Sequence, residues 1–328
     1  MLEKKEIFFN PELHKYTDEH NNVYTSVTQL IHKIVPTFDK RYWLMYTSLK
    51  ESGYYLRPDL QNQNIIINGK TFSIDNLYKG IVKLKKSIQD INDEWDKINK
   101  ESCEKGTAIH EQLENNINLI TGNFDNKLNN LINENKLQVF KSKQIVDVKD
   151  LPLDIRKKYP KIIKRIQSFL FTGYEIYTEV RVYHPIYYIA GTIDLLIIKD
   201  KQFYILDWKT NKDDLHFISG YYKKENNIKT NKFIANDERL LSPLNNLQNC
   251  KGIIYTLQLS LYSFILEEWG YECLDLELYH IRDTINVHNL NYLKEEIKTL
   301  LNFHKKNLNL KNELNFDKNI LKQINFDL

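Results

Sequence analysis

The sequence predicts an α/β (α+β) protein: a mixed central sheet flanked by helices, with a helical N-terminal region. Two observations carry this. The hydrophobic period changes from helical to extended near residue 175, and the elements around that change run helix, three strands, helix, strand. Size agrees, since 328 residues suffice for one large domain or two modest ones. With 21 Tyr, 15 Phe and 46 basic residues against 43 acidic ones, a disordered chain is excluded.

Residues 5–25 read as a hairpin, EIFFN and VYTSV around a polar turn at 18–22. Ser26 or Thr28 caps a helix through Leu30, Ile31 and Ile34, which Pro36 ends. From Lys40 to Lys100 the pattern is mostly helical, broken by a strand-like piece at 64–72 with Asn68-Gly69 as its turn. Ile81, Leu84, Ile88, Ile91 and Trp95 make an amphipathic stripe, whose ordinary use is core packing. Helical spacing resumes over about 104–120, and the Asn- and Lys-rich stretch at about 121–150 reads as an insertion. The next helix, about 154–172, carries Lys157, Lys158, Lys161, Lys164 and Arg165, as readily a solvated face as a nucleic-acid patch.

EIYTEVRVY (175–183), YYIAGTIDLLII (187–198) and QFYILDW (202–208) then form a three-strand meander. Residues 211–250 are polar and irregular, a strong helix occupies 252–269, a strand 273–281, and the tail from 290 is helical. The chain therefore divides into an N-terminal hairpin and helical region (1–100), a core (101–285) with insertions at about 121–150 and 211–250, and a C-terminal helical tail (286–328).

The opening residues carry acids early and no apolar run, so they read as neither a secretory signal nor a transit peptide. No stretch approaches the ~20 apolar residues of a membrane span, and the expectation is a soluble intracellular protein. Three cysteines (103, 250 and 273) without pair spacing fit a reducing compartment and exclude a four-cysteine zinc or iron–sulfur site. A net charge of +3 excludes a protein that coats nucleic acid by bulk charge and leaves narrower partners open.

The chemistry concentrates in the meander. Asp207 and Lys209 share a strand face with Phe203 and Ile205, which turns that face from apolar to charged at its end. Asp194 stands in the apolar run AGTIDLLII, where a carboxylate is costly unless paired or bound to a cation. Counting back from the short Lys199-Asp200 turn brings it beside Asp207. Two converging carboxylates repel unless a divalent ion lies between them, and hard oxygen donors suit Mg²⁺ or Mn²⁺. Lys209 would then position a water or neutralise charge on a phosphoryl transition state. His110 and Glu114 share one face of the 104–120 helix, either as an exposed pair or with His110 as a third ligand that favours Mn²⁺. Gln258 and Tyr262 share a face of the 252–269 helix.

Taken in order, G106-x-x-x-H110-x-x-x-E114, G191-T-x-D194, D207-W-K209-T210 and Q258-x-x-x-Y262 resemble the RecB-like branch of the PD-(D/E)XK nuclease superfamily, which includes mitochondrial genome maintenance exonucleases and phage and large-virus nucleases. The resemblance covers about 101–285; the hairpin-plus-SVT start also resembles some viral members. It implies a restriction-endonuclease-like core and a metal-dependent deoxyribonuclease. The implied activity is an exonuclease on single-stranded DNA or DNA ends in replication, repair or recombination. A structure- or sequence-specific endonuclease, or a non-catalytic nucleic-acid-binding protein, stays open. By resemblance His110, Asp194 and Asp207 hold Mg²⁺ or Mn²⁺ and Lys209 orients the attacking water. Gln258, Tyr262, Glu114, Thr210 and Glu179 support the site or contact substrate. Some relatives carry an iron–sulfur cluster, for which this chain has too few cysteines. No GxxxxGK[ST] loop is present, so unwinding would fall to a helicase partner.

Overall fold

The structure, a computed structural model, describes residues 5–54, 57–59, 64–67, 69–80, 84–121, 157–225 and 228–324. The expected insertion at about 121–150 lies outside these residues apart from Thr121, as do Asn68 and Ile81. Contacts divide the chain into one unit of Met1–Pro36 with Ile109–Leu328 and a second of Thr37–Ala108.

The larger unit opens with three short antiparallel strands, β1 (Ile7–Asn10), β2 (Lys15–Asp18) and β3 (Val23–Ser26). The sequence suggested only two. The middle strand KYTD buries Tyr16 and Asp18 on alternate positions, a pattern too short to stand out. Its turns are held by Asn10 Oδ1, which accepts from Leu13 N, and by Asp18 Oδ1, which accepts from His20 N and Asn22 N. Ser26 caps α1 (Val27–His32) in a capping box with Gln29, as its S-x-x-Q pattern dictates.

Strand β3 pairs in parallel with β8 (Ile189–Lys199), so the hairpin extends the main sheet. Contacts therefore group residues 1–36 with the core, whereas the sequence reading set them with the region to residue 100. The sheet runs β1-β2-β3-β8-β9-β12-β13, with β7 (Glu175–His184) along the other edge of β8. Strand β9 (Gln202–Lys209) is antiparallel to β8, β12 (Glu272–Ile281) is parallel to β9, and β13 (Ile285–Leu290) is antiparallel to β12. The expected mixed sheet flanked by helices is present.

Two apolar layers sandwich this sheet. One joins Val182, Leu196, Ile198, Phe203 and Ile205 to α1, α6 (Lys251–Glu268) and α7 (Lys294–Ile324). The other joins Leu195, Ile197, Leu206 and Trp208 to α5 (Pro160–Phe171) and to Leu113 and Ile117 of α4 (Ile88–Thr121). The segment read as a C-terminal helical tail begins as strand β13 and continues as the helix α7, which buries Ile297, Leu300 and Leu301. Between β9 and α6, in the region read as irregular, lies a separate hairpin of β10 (Gly220–Glu225) and β11 (Ile228–Ala235). Its apolar residues fall in adjacent pairs, Tyr221-Tyr222 and Phe233-Ile234, among lysines, which hides the period. Among the described residues no helix is long and apolar enough to cross a membrane.

The smaller unit contains α2 (Lys40–Glu51), a three-stranded antiparallel sheet β4 (Arg57–Asp59), β5 (Asn64–Ile67) and β6 (Lys70–Ser73), and α3 (Ile74–Lys79). Asp39 caps α2 by accepting from Tyr42 N at 2.9 Å, a bond worth about 1 kcal/mol. Tyr42, Met45, Leu49, Ile65 and Ile74 form its core, with Leu84 and Ile88 of the expected stripe packed against it.

Candidate metal centre

A fork in the sheet makes the site. Strand β7 covers β8 from Ile189 to Ile198 on one edge. On the other edge β3 covers Ile189–Ala190 and β9 covers Leu195–Lys199, which leaves 191–194 between two diverging strands. Asp194 ends that gap, and its Oδ2 accepts from Trp208 N at 3.0 Å where β9 peels away. The β8–β9 register that pairs Leu195 with Leu206 sets Asp194 against Asp207, as the hairpin count expected.

A second irregularity aims the carboxylates. Tyr177 and Val180 lie in the same apolar layer, as do Ile193 and Leu196, although residues three apart on a strand belong to opposite faces. Side alternation therefore slips on both strands at once, at Glu179 and Asp194, which the β7–β8 register sets opposite each other. Glu179 takes up the slip with φ +49°, a left-handed value that costs a non-glycine residue about 1–3 kcal/mol. Such local breaks re-aim side chains beside sites.

His110 reaches the fork from α4, anchored by Leu113 and Ile117 on its own face. Its Nδ1 lies 3.5 Å from Asp194 Oδ2. One ligand atom each from His110, Glu179 and Asp194 fall within 4.8 Å of one another, a spacing open to a metal ion. The sequence reading named Asp207 rather than Glu179 beside His110 and Asp194. Asp207 is 1% exposed and set against Lys209, whose Nζ lies 2.6 Å from its Oδ2. Counting outward from the 185–188 turn would have found Glu179, since that register pairs His184 with Ile189.

The charges oppose one another. Burial, then Asp194, Glu114 and Asp207, pushes Glu179 up to about 8. Burial, then Asp194, raises Asp207 to about 7 against the pull of Lys209. Burial pulls the Lys209 pKa down, but Asp207 and Asp194 outweigh it and raise it above the ordinary lysine value. Its Nζ also lies 4.8 Å from the centre of the Tyr255 ring, a contact the motifs did not suggest. Glu114 is raised by burial and by Glu111. Gln258 Nε2 donates to Tyr262 OH at 3.1 Å, and Tyr262 packs on Gly191, where a Cβ would meet its ring at 2.5 Å. Thr210 is half-buried just past β9.

The basic run of α5 turns inward in part. Arg165 forks onto buried Glu277, and Lys161 donates to Ile285 O at 2.7 Å. No protein-family model matches this sequence, and no curated protein matches it.

Proposed function

We propose that the chain is a metal-dependent DNA nuclease that hydrolyses phosphodiester bonds, an exonuclease on single-stranded DNA or DNA ends. The observation that carries this reading is the convergence of His110, Glu179 and Asp194 within 4.8 Å, next to the buried Asp207–Lys209 pair. Hard oxygen donors with one imidazole fit Mg²⁺ or Mn²⁺. Asp194 raises both Glu179 and Asp207, which marks a cluster crowded with negative charge. His110, Glu179 and Asp194 would hold the ion, with Asp207 behind them. Bound there, a divalent cation supplies Lewis acidity toward a phosphoryl oxygen and lowers the pKa of water.

The chain's own groups divide the remaining work. In hydrolysis a water oxygen bonds phosphorus, the opposite P–O ester bond breaks, and a hydroxyl and a phosphate monoester result. Lys209, held charged, is no proton acceptor; it orients the water and offsets charge growing on the phosphoryl oxygens. Trp208 N fixes one Asp194 oxygen, which leaves the other directed elsewhere. Gln258 and Tyr262 brace the fork from α6.

The test incubates purified protein with Mn²⁺ or Mg²⁺ and compares linear with closed circular single-stranded DNA. Linear DNA is expected to disappear while circles persist, and Asp194→Ala to abolish the loss. Equal rates on both would replace the exonuclease with an endonuclease of the same chemistry. Metal-independent cleavage, or none, would sink the nuclease reading.

A further inference from the structure

Beside the metal centre lies a cleft of about 500 Å³ between the segment after β9, the β10–β11 hairpin and the start of α6. Two glycines let its walls close up. A Cβ on Gly220 would meet the Phe233 ring at 2.6 Å, and one on Gly252 would meet His216 O at 2.5 Å. Gly252 N donates to that same carbonyl at 3.1 Å, which ties the segment after β9 to α6. His216 stacks on Phe233 with ring centres 3.7 Å apart and bonds Tyr222 OH at 2.9 Å. The cleft is thus a built aromatic wall.

Its free charge is positive. Asp213 is taken by Lys229, and Asp214 by Arg282 and Tyr222 OH. Lys224 and Lys251 also line it, exposed and without a carboxylate partner among the described residues. Residues 220–235 hold four lysines and one glutamate, an excess equal to the net +3 of the whole chain. Tyr221, at the rim, is 57% exposed. The cleft connects to the chemistry through one side chain: its lining residue Asn211 accepts from Tyr255 OH at 2.8 Å, and the Tyr255 ring lies under Lys209 Nζ.

We propose that this cleft is a subsite for one unpaired nucleotide of single-stranded DNA, its base against Tyr221 and its phosphates toward Lys224 and Lys251. Exposed aromatics interleaved with lysines suit a flexible polyanion with π-faces, and every base has one. A paired base is already stacked and enters such a cleft only if extruded. The inference rests on the nuclease reading for its neighbour, the scissile phosphodiester at Lys209.

The test uses Tyr221→Ala and Lys224→Glu, both exposed positions outside the metal centre. Anisotropy of a fluorescein-labelled oligothymidylate reads binding. Mn²⁺-dependent hydrolysis is followed on that oligomer and on the p-nitrophenyl ester of thymidine 5′-phosphate, which offers one phosphodiester and no neighbouring nucleotide. Tyr221→Ala is expected to raise Kd and KM for the oligomer about 5- to 150-fold, the range base stacking supplies, and Lys224→Glu to raise both more than twofold. Hydrolysis of the ester stays unchanged, and Tyr221→Phe behaves as the parent. Oligomer KM and Kd within about twofold of the parent overturn the cleft and leave the nuclease standing. Equal loss on oligomer and ester also overturns it, because the variants then act through the centre's structure. If the parent cleaves nothing, the nuclease reading falls, and the cleft stands or falls on the anisotropy alone. Tighter binding of oligouridylate than oligothymidylate overturns the DNA assignment.

Discussion

At the scale of single residues, Glu179 and Asp207 are acids folded into places that resist their ionisation. Burial leads in both cases, with Asp194 as the next cause, and the two are pushed up to about 8 and about 7. In the unfolded chain such groups titrate near pH 4. Between about pH 4 and pH 8 the folded protein therefore binds more protons than the unfolded one, and stability must fall as pH rises through that window. On the proposed reading a divalent cation substitutes for those protons and offsets the slope. Calorimetry without metal should show Tm declining from pH 5 to pH 8, and saturating Mn²⁺ should flatten the decline. A metal-free Tm that climbs over this range would mean that the two carboxylates are ionised at little cost, against the burial of the site. Lys209 faces Asp207 and Asp194, and Glu179 stands among carboxylates, Asp194, Glu114 and Asp207.

At the scale of elements, the fork of β8 depends on how closely α6 approaches it. Gly191 has no room for a Cβ under the Tyr262 ring, so Gly191→Ala should cost about 1–3 kcal/mol, the usual penalty of overpacking. Adding Tyr262→Ala should recover part of that in urea denaturation, and strictly additive losses would argue that the two do not touch. How much of this was legible follows from the same elements. The meander, α6 and β12 were readable because each is a long run rich in apolar residues, bounded by polar turns. The meeting of Asp194 with Asp207 was readable because a short turn fixes the β8–β9 register. The place of Glu179 was open to the same count from the 185–188 turn, but its aim was not, because alternation slips on β7 and β8 together and no sequence pattern marks a paired slip. Strand β2 was too short to show a period, and β10–β11 bunches its apolar residues in pairs instead of alternating them. Arg165 looked like part of a solvated basic face until its partner Glu277, 112 positions away and 4% exposed, was placed beside it.

At the scale of the whole molecule, a near balance of 46 basic and 43 acidic residues means that the attraction for DNA proposed above must be local. Affinity of a basic protein for single strands falls with salt in proportion to the phosphates it neutralises, about −0.7 in the log–log slope for each. Three cations lie along the path inferred here, Lys209 at the centre and Lys224 and Lys251 in the cleft. The binding slope from low to moderate salt should therefore be about −2, far shallower than that of a protein with an extended basic channel. Lys224→Glu should flatten it further by about 0.7 or more, whereas Lys157→Glu, on a residue exposed ahead of α5, should leave it unchanged. Anisotropy titrations at several salt concentrations measure both. A slope steeper than about −4 would place most of the contacts elsewhere on the surface, because the three lysines cannot supply that many released counterions. An equal response to the Lys157 and Lys224 substitutions would mean that the protein attracts DNA by its general field, with no preferred track beside the fork.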